Sequence, residues 1–237
     1  MNEYEKQVLL QLEEWKRGMV KNSSFMNRFS KKVQTKMQQF IPEKAHVILT
    51  ETIKKMTQAI VVGSDFIQPA LKEKELTLAQ RDERVRKKMD DYKKIAAAEG
   101  AGTGAGGIFL GLADFPLLLT IKMKFLFDAA TLYGYDTSQE DERLFILYVF
   151  QLAFSSDDHR RDVFHTIEHW NEEHEKIVDW RKFQQEYRDY IDLAKLLQLV
   201  PIIGAAVGAY ANYQLLDRLG EVTMNCYRMR WLKEKQE

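Results

Sequence analysis

The chain has 237 residues, 45% of them apolar and 30% charged, with 35 Lys/Arg balanced by 35 Asp/Glu. That apolar fraction supplies a sizeable core and argues against a disordered chain, while a single cysteine, Cys226, excludes an internal disulfide and a cysteine metal cage. The zero net charge hides two opposite halves: residues 1–94 hold 20 Lys/Arg against 13 Asp/Glu, and residues 95–237 hold 15 against 22.

Helical periodicity starts at once. Val8, Leu9, Leu12, Trp15 and Met19 share one face, and Met26, Phe29, Val33, Met37 and Phe40 another, with Asn22-Ser23-Ser24 between them. The N-terminus lacks the uninterrupted apolar run of a signal peptide, so export is not indicated and a cytosolic location is expected. From Trp15 to Pro42 the chain carries Lys16, Arg17, Lys21, Arg28, Lys31, Lys32 and Lys36 and no acid. Cations interleaved with aromatic residues suit anionic lipid headgroups, with Trp15 at the interface. The competing reading leaves the aromatics in the core and the lysines in water. Without a reading motif, nucleic acid is not the expected partner.

Pro42 suits the first turn of a third helix, running to about Phe66, and Pro69 ends that region. Thr77 and Gln80 form a capping box for a charged helix, Leu78 to Glu99. There Arg81, Arg84, Lys87 and Lys88 alternate with Asp82, Glu83, Asp90 and Asp91, and the pattern reads as a solvated face.

Residues 100–121 contain one charge, Asp114. Asp114 followed by Pro116 reads as a helix start, dividing the segment into a small-residue element up to Leu112 and a helix from Phe115 to Tyr133, stopped by Gly134. Ser138 to Asp141 is expected to cap the next helix, which ends near Ser156. Asp157 or Asp158 caps another through Trp170, and a further helix carries Trp180, Phe183, Tyr187 and Ile191. Residues 136–192 hold 15 acids and seven bases, a poor match for a phosphate-rich surface. Residues 196–216 have no charge, with Pro201 near their start and Gly204, Gly208 and Asn212 at four-residue intervals. The helix then turns amphipathic through Leu219, Val222, Cys226 and Met229.

The expected fold is all-α: a single multi-helix bundle over residues 1–237. It comprises basic amphipathic helices (1–94), glycine-rich apolar elements (95–135 and 196–216) and acidic helices (136–192). Small residues four apart let a second helix approach closely. Gly100 and Gly104, Gly107 and Gly111, and Gly204 and Gly208 form such stripes, with Asp114, Pro116, Pro201 and Asn212 breaking the runs. The stripes fit a membrane span, a membrane-apposed hairpin or a buried hairpin of a soluble bundle.

The catalytic motifs are thin. Gly102 to Gly107 matches GxGxxG, but a charged helix precedes it where a dinucleotide site needs a buried strand. His165, Glu168 and His169 spell HxxEH, the inverted zinc-peptidase arrangement, in which His165 and His169 would bind metal and Glu168 would assist water. In so acidic a region such spacing arises readily by chance. Cys226 reads as a packing residue. No cofactor is expected.

Four blocks together resemble the EcsC family: YEKQVLLQLEEWKRGM, SKKVQTKMQQFIPEKAHVILTETIKKM, EGAGTGAGGIFLGLADFPLLLTIKMKFLFDAATLYGYD and VPIIGAAVGAYANYQLLDRLGEVTMNCYRMRWL. The most specific elements are Gly111 to Pro116, the Tyr133-Gly134-Tyr135-Asp136 turn and the glycine block from Pro201 to Asn212. The family is named for a bacterial operon that also encodes the subunits of the Ecs ABC exporter. The resemblance implies a cytoplasmic, membrane-proximal protein serving export or the cell envelope, with exporter subunits as partners. The cationic stretch together with the uncharged segments adds the expectation of a non-enzymatic accessory protein, peripheral on the inner membrane face and bound to anionic lipid; a metal-dependent hydrolase using HxxEH and a soluble protein-interaction bundle are the alternatives. The resemblance brings no catalytic residue with it.

Overall fold

Seven helices and no strand run through the described residues of the computed structural model, which are 1–20, 43–62, 66–67, 76–104, 115–155, 157–170 and 204–236. The helices are α1 (Glu3–Val20), α2 (Glu43–Val62), α3 (Leu78–Gly104), α4 (Phe115–Tyr133), α5 (Glu140–Phe154), α6 (Asp157–Glu168) and α7 (Gly204–Glu234). The all-α expectation holds. The expected helices around Met26 to Phe40 and Trp180 to Ile191, and the small-residue element at 105–112, lie outside the described residues.

Local chemistry sets the helix ends. Asn2 and Glu5 form a reciprocal box at the start of α1: the Glu5 N–H donates to Asn2 Oδ1 at 2.9 Å and the Asn2 N–H to Glu5 Oε2 at 3.0 Å. Thr77 and Gln80 do the same for α3, at 2.9 and 3.3 Å. Helix α4 stops at Gly134, whose φ of 94° is open to glycine and costly for other residues. The Tyr135 N–H returns to the Ala130 carbonyl and the Gly134 N–H to that of Thr131, a Schellman ending. The expected Ser138 to Asp141 cap does not form, because α5 opens at Gln139 with no side-chain cap. Asp136 instead folds the turn by accepting from the Ser138 N–H at 2.9 Å.

Helices α3, α4 and α7 form the spine. Along α3 and α7, Asp82 meets Arg228 and Lys93 meets Asp217; between those levels a Cβ placed on Gly220 would collide with Met89. Each step up one helix is a step down the other, so the two are antiparallel. Contacts of Asp82 with Tyr133, Lys88 with Asp128 and Tyr92 with Phe125 set α4 antiparallel to α3 in the same way. The missing Cβ of Gly220 leaves room for the Met89 side chain of α3, whose sulfur lies 2.0 Å from where that Cβ would be.

Helices α4 and α5 are apolar nearly all round and sit inside. Phe125, Phe127, Phe145, Phe150 and Phe154 are fully buried, each contributing roughly 1.5–3 kcal/mol of transfer free energy. Helix α2 lays Ile53 and Ile60 into the same core, and the turn after α6 closes it through Trp170, which stands edge-on to Phe145 and Tyr148. Helix α1 joins the C-terminal end of α7, where Lys235 reaches Glu5 at 2.6 Å.

Candidate functional site

The Tyr133-Gly134-Tyr135-Asp136 turn, one of the sequence blocks singled out above, is the centre of a buried polar hub. Arg81 and Asp82, expected on a solvated face of α3, are buried there. Asp82 accepts the Tyr4 hydroxyl at 2.6 Å, the Tyr133 hydroxyl at 2.5 Å and Arg228 Nε at 2.9 Å. A carboxylate removed from water needs that many donors. Arg81 donates from Nε to the Leu76 carbonyl and from Nη1 to that of Leu132, filling the space a Cβ on Gly134 would occupy.

Next to it, Glu142 of α5 accepts the Tyr227 hydroxyl and Arg230 Nη1, each at 2.6 Å. The Arg230 guanidinium also lies 4.1 Å from the centre of the Tyr135 ring. Tyr133 and Tyr227 stack with centroids 5.3 Å apart. Burial pushes both tyrosines well above the ordinary phenol range, helped by the carboxylates they face. Burial also raises Glu142, although Arg230 and Tyr227 pull the other way. Both carboxylates are committed to partners inside the fold, so the hub ties α1, α3, α4, α5 and α7 together.

The HxxEH residues lie at the C-terminal end of α6. The His165 and His169 rings stack at 4.3 Å, and His169 Nδ1 sits 3.0 Å from the His165 carbonyl oxygen. Glu168 is held by Lys16 at 3.0 Å. Among the described residues no three His, Cys, Asp or Glu side chains gather in a way that could hold a metal ion. Glu168 and His169 instead edge an open cavity of about 300 Å³, with Leu9, Leu12, Met229 and Leu232 among its lining. Cys226 is fully buried, and desolvation raises its thiol far from the reactive range.

Of the cationic stretch, Trp15, Lys16 and Arg17 fall on α1, while Lys21, Arg28, Lys31, Lys32 and Lys36 lie outside the described residues. For Trp15 the structure takes the second of the two readings, an aromatic in the core: it is buried, 5.7 Å edge-on to Phe164. Its place on the apolar stripe of α1 with Val8 and Leu12 turns it inward. Lys16 bridges to Glu13 and Glu168, and Arg17 is exposed.

Two of the glycine stripes, Gly100 with Gly104 and Gly204 with Gly208, lie at one end of the spine. Gly100 is buried on α3 and Gly104 ends that helix; Gly204 and Gly208 open α7. Continuing the antiparallel pairing places Gly100 level with Tyr210 and Gly104 level with Ala206. Asn212, on the same face as Gly204 and Gly208 and 1% exposed, has an Nδ2 with no acceptor. Pro116 is exposed in the first turn of α4. Gly107, Gly111, Asp114 and Pro201 lie outside the described residues. No helix among the described residues is long and apolar enough to cross a membrane.

No solved structure matches the fold. The chain is 53% identical to Protein EcsC of Bacillus subtilis (strain 168) over 221 residues, 93% of each chain. It is 34% identical to the uncharacterized protein YdbA of the same organism over 146 residues, 59% of this chain and 54% of that one. The profile of the EcsC protein family matches residues 6–232, from the first turn of α1 to the last turn of α7, and the chain belongs to that family.

Proposed function

We propose that this chain is a non-enzymatic helical accessory protein that docks peripherally on the cytoplasmic face of a membrane and there serves an ABC exporter, with anionic lipid as its surface and an exporter subunit as its protein partner. The observation that carries the proposal is the run of seven cations and no acid between Trp15 and Pro42, which begins on the outer side of α1. Cations near an anionic surface contribute about 1 kcal/mol each, so a run of this length holds a protein to a membrane without a spanning helix. Membership of the EcsC family supports the exporter as partner. The buried carboxylates, the occupied Glu168 and the desolvated Cys226 offer no competing chemistry.

Fractionation of expressing cells tests the reading. The chain should pellet with membranes in low salt and be released by alkaline carbonate. Recovery in the supernatant at low salt would contradict docking, and a requirement for detergent would contradict its peripheral nature.

A further inference from the structure

Membrane docking leaves the cavity between α1, α6 and α7 without a role. Helix α1 turns Leu9, Leu12 and Lys16 to one side, at i, i+3 and i+7, and α7 turns Met229, Leu232 and Lys233 to meet them, at i, i+3 and i+4. With Glu168 at the end of α6 and His169 just after it, these residues line about 300 Å³ that opens to solvent. That volume is at the low end of the range for small-molecule sites. Leu12 and Leu232 are 1% and 3% exposed and form the base. Lys16 and Glu168 keep 26% and 33% of their side-chain surface and form the rim, Nζ to Oε1 at 3.0 Å.

The rim charges select the occupant, because whatever fills the cavity removes the Lys16–Glu168 pair from water. A simple carboxylate would compete with Glu168 for Lys16 and lie against the acid it displaces. A simple amine would compete with Lys16 for Glu168 in the same way. A molecule carrying both charges on one carbon meets both residues at once, its carboxylate on Lys16 and its ammonium on Glu168. The surroundings are balanced too: Glu13 lies 3.6 Å from Lys16, and Lys233 is in the lining. Leu9, Leu12, Met229 and Leu232 then receive an uncharged side chain, and the volume suits one the size of leucine, methionine or phenylalanine.

We propose that this cavity binds a free apolar α-amino acid, held by Lys16 and Glu168 through its two charged groups and by the four apolar residues through its side chain. The occupied site fastens α1 and the end of α6 to the C-terminal part of α7. Of the seven cations between Trp15 and Pro42 only Lys16 takes part, so the proposal is separate from membrane docking and is tested without a membrane.

Calorimetric titration of the full chain with L-leucine, L-methionine and L-phenylalanine tests it. Expected is saturable binding of one molecule per chain, weaker by about tenfold or more for isocaproate, which lacks the ammonium, and for isoamylamine, which lacks the carboxylate. Lys16→Gln should remove the preference for leucine over isoamylamine, and Glu168→Gln the preference over isocaproate, changes that a merely structural ion pair would not produce. Leu9 is 38% exposed, so Leu9→Trp fills the cavity without disturbing its base and should abolish binding while keeping the helical spectrum. No saturable binding of any of the three amino acids overturns the proposal. Isocaproate or dodecanoate binding as tightly as leucine overturns it in favour of a simple anionic amphiphile, and a Leu9→Trp variant that binds leucine like the parent shows that the ligand sits elsewhere.

Discussion

Asp82 Oδ2 lies 2.9 Å from Arg228 Nε and 2.8 Å from Nη2, joining residues 146 positions apart between the first turns of α3 and the last turns of α7. Both side chains are almost wholly removed from water. Such a pair is costly to assemble and costlier to halve, because either residue alone is a buried uncompensated charge.

Asp82→Ala should therefore destabilise the fold by about 3–5 kcal/mol. Tyr133→Phe, which removes one donor and leaves the other two, should cost about 1–2 kcal/mol. Urea unfolding of the variants provides the check. An Asp82→Ala variant as stable as the parent would show that the hub is not what ties α3 to α7.

Two buried glutamates give opposite pH signatures. Lys235 and Asn2 hold Glu5 below the usual carboxylate range, so its contribution is present above the ordinary glutamate pKa and is lost as pH falls through the folded value. Burial raises Glu142, so its contribution is present below the ordinary value and is lost as pH rises through the folded one. Stability measured from pH 3 to pH 7 should show less acid loss for Glu5→Gln and a smaller decline towards neutrality for Glu142→Gln than for the parent.

Two glycines are fixed for different reasons. Gly134→Ala forces a side chain into the left-handed region and places Cβ 2.7 Å from Arg81 Nη1, a combined cost of about 2–4 kcal/mol. Gly220→Ala strikes the Met89 side chain and should cost about 1–3 kcal/mol. Adding Met89→Ala should return part of the second loss and none of the first, readable as the coupling in a double-mutant cycle.

Asn212→Leu removes a buried donor that has no acceptor while keeping similar volume. The expected effect is neutral to stabilising, by about 1 kcal/mol, where a satisfied buried asparagine would lose stability on the same change. Thermal unfolding of the variant decides between them.

The helices were legible because their signals are local. Thr77 with Gln80, Gly134 after an apolar run, and Phe115 after Asp114 each act within a few residues. The hub was not, because Asp82 sits among Arg81, Glu83 and Arg84 in a pattern that looks like a solvated face, and its partners Tyr4, Tyr133 and Arg228 are 78, 51 and 146 positions away. Trp15 had two readings for a related reason: composition places a tryptophan beside lysines at a lipid surface, while its helical face turns it to Phe164, and the face decides. HxxEH spacing did bring His165 and His169 together, but Lys16, from another helix, occupies the glutamate that would have acted on water. The uncharged segments were visible as runs; that their described parts, 100–104, 115–121 and 204–216, lie at one end of a three-helix spine depends on registers set elsewhere, at Gly220 and Lys93.

The central claim is that this protein of the EcsC family holds to an anionic membrane surface without spanning it. Sedimentation with phosphatidylglycerol-containing vesicles across a salt series tests that most directly. The account predicts pelleting at low salt that weakens progressively as ionic strength rises and the Debye length shrinks from about 30 Å at 0.01 M to about 10 Å at 0.1 M. A chain that stays in the supernatant at low salt, or that pellets equally with uncharged phosphatidylcholine at every salt concentration, would contradict it.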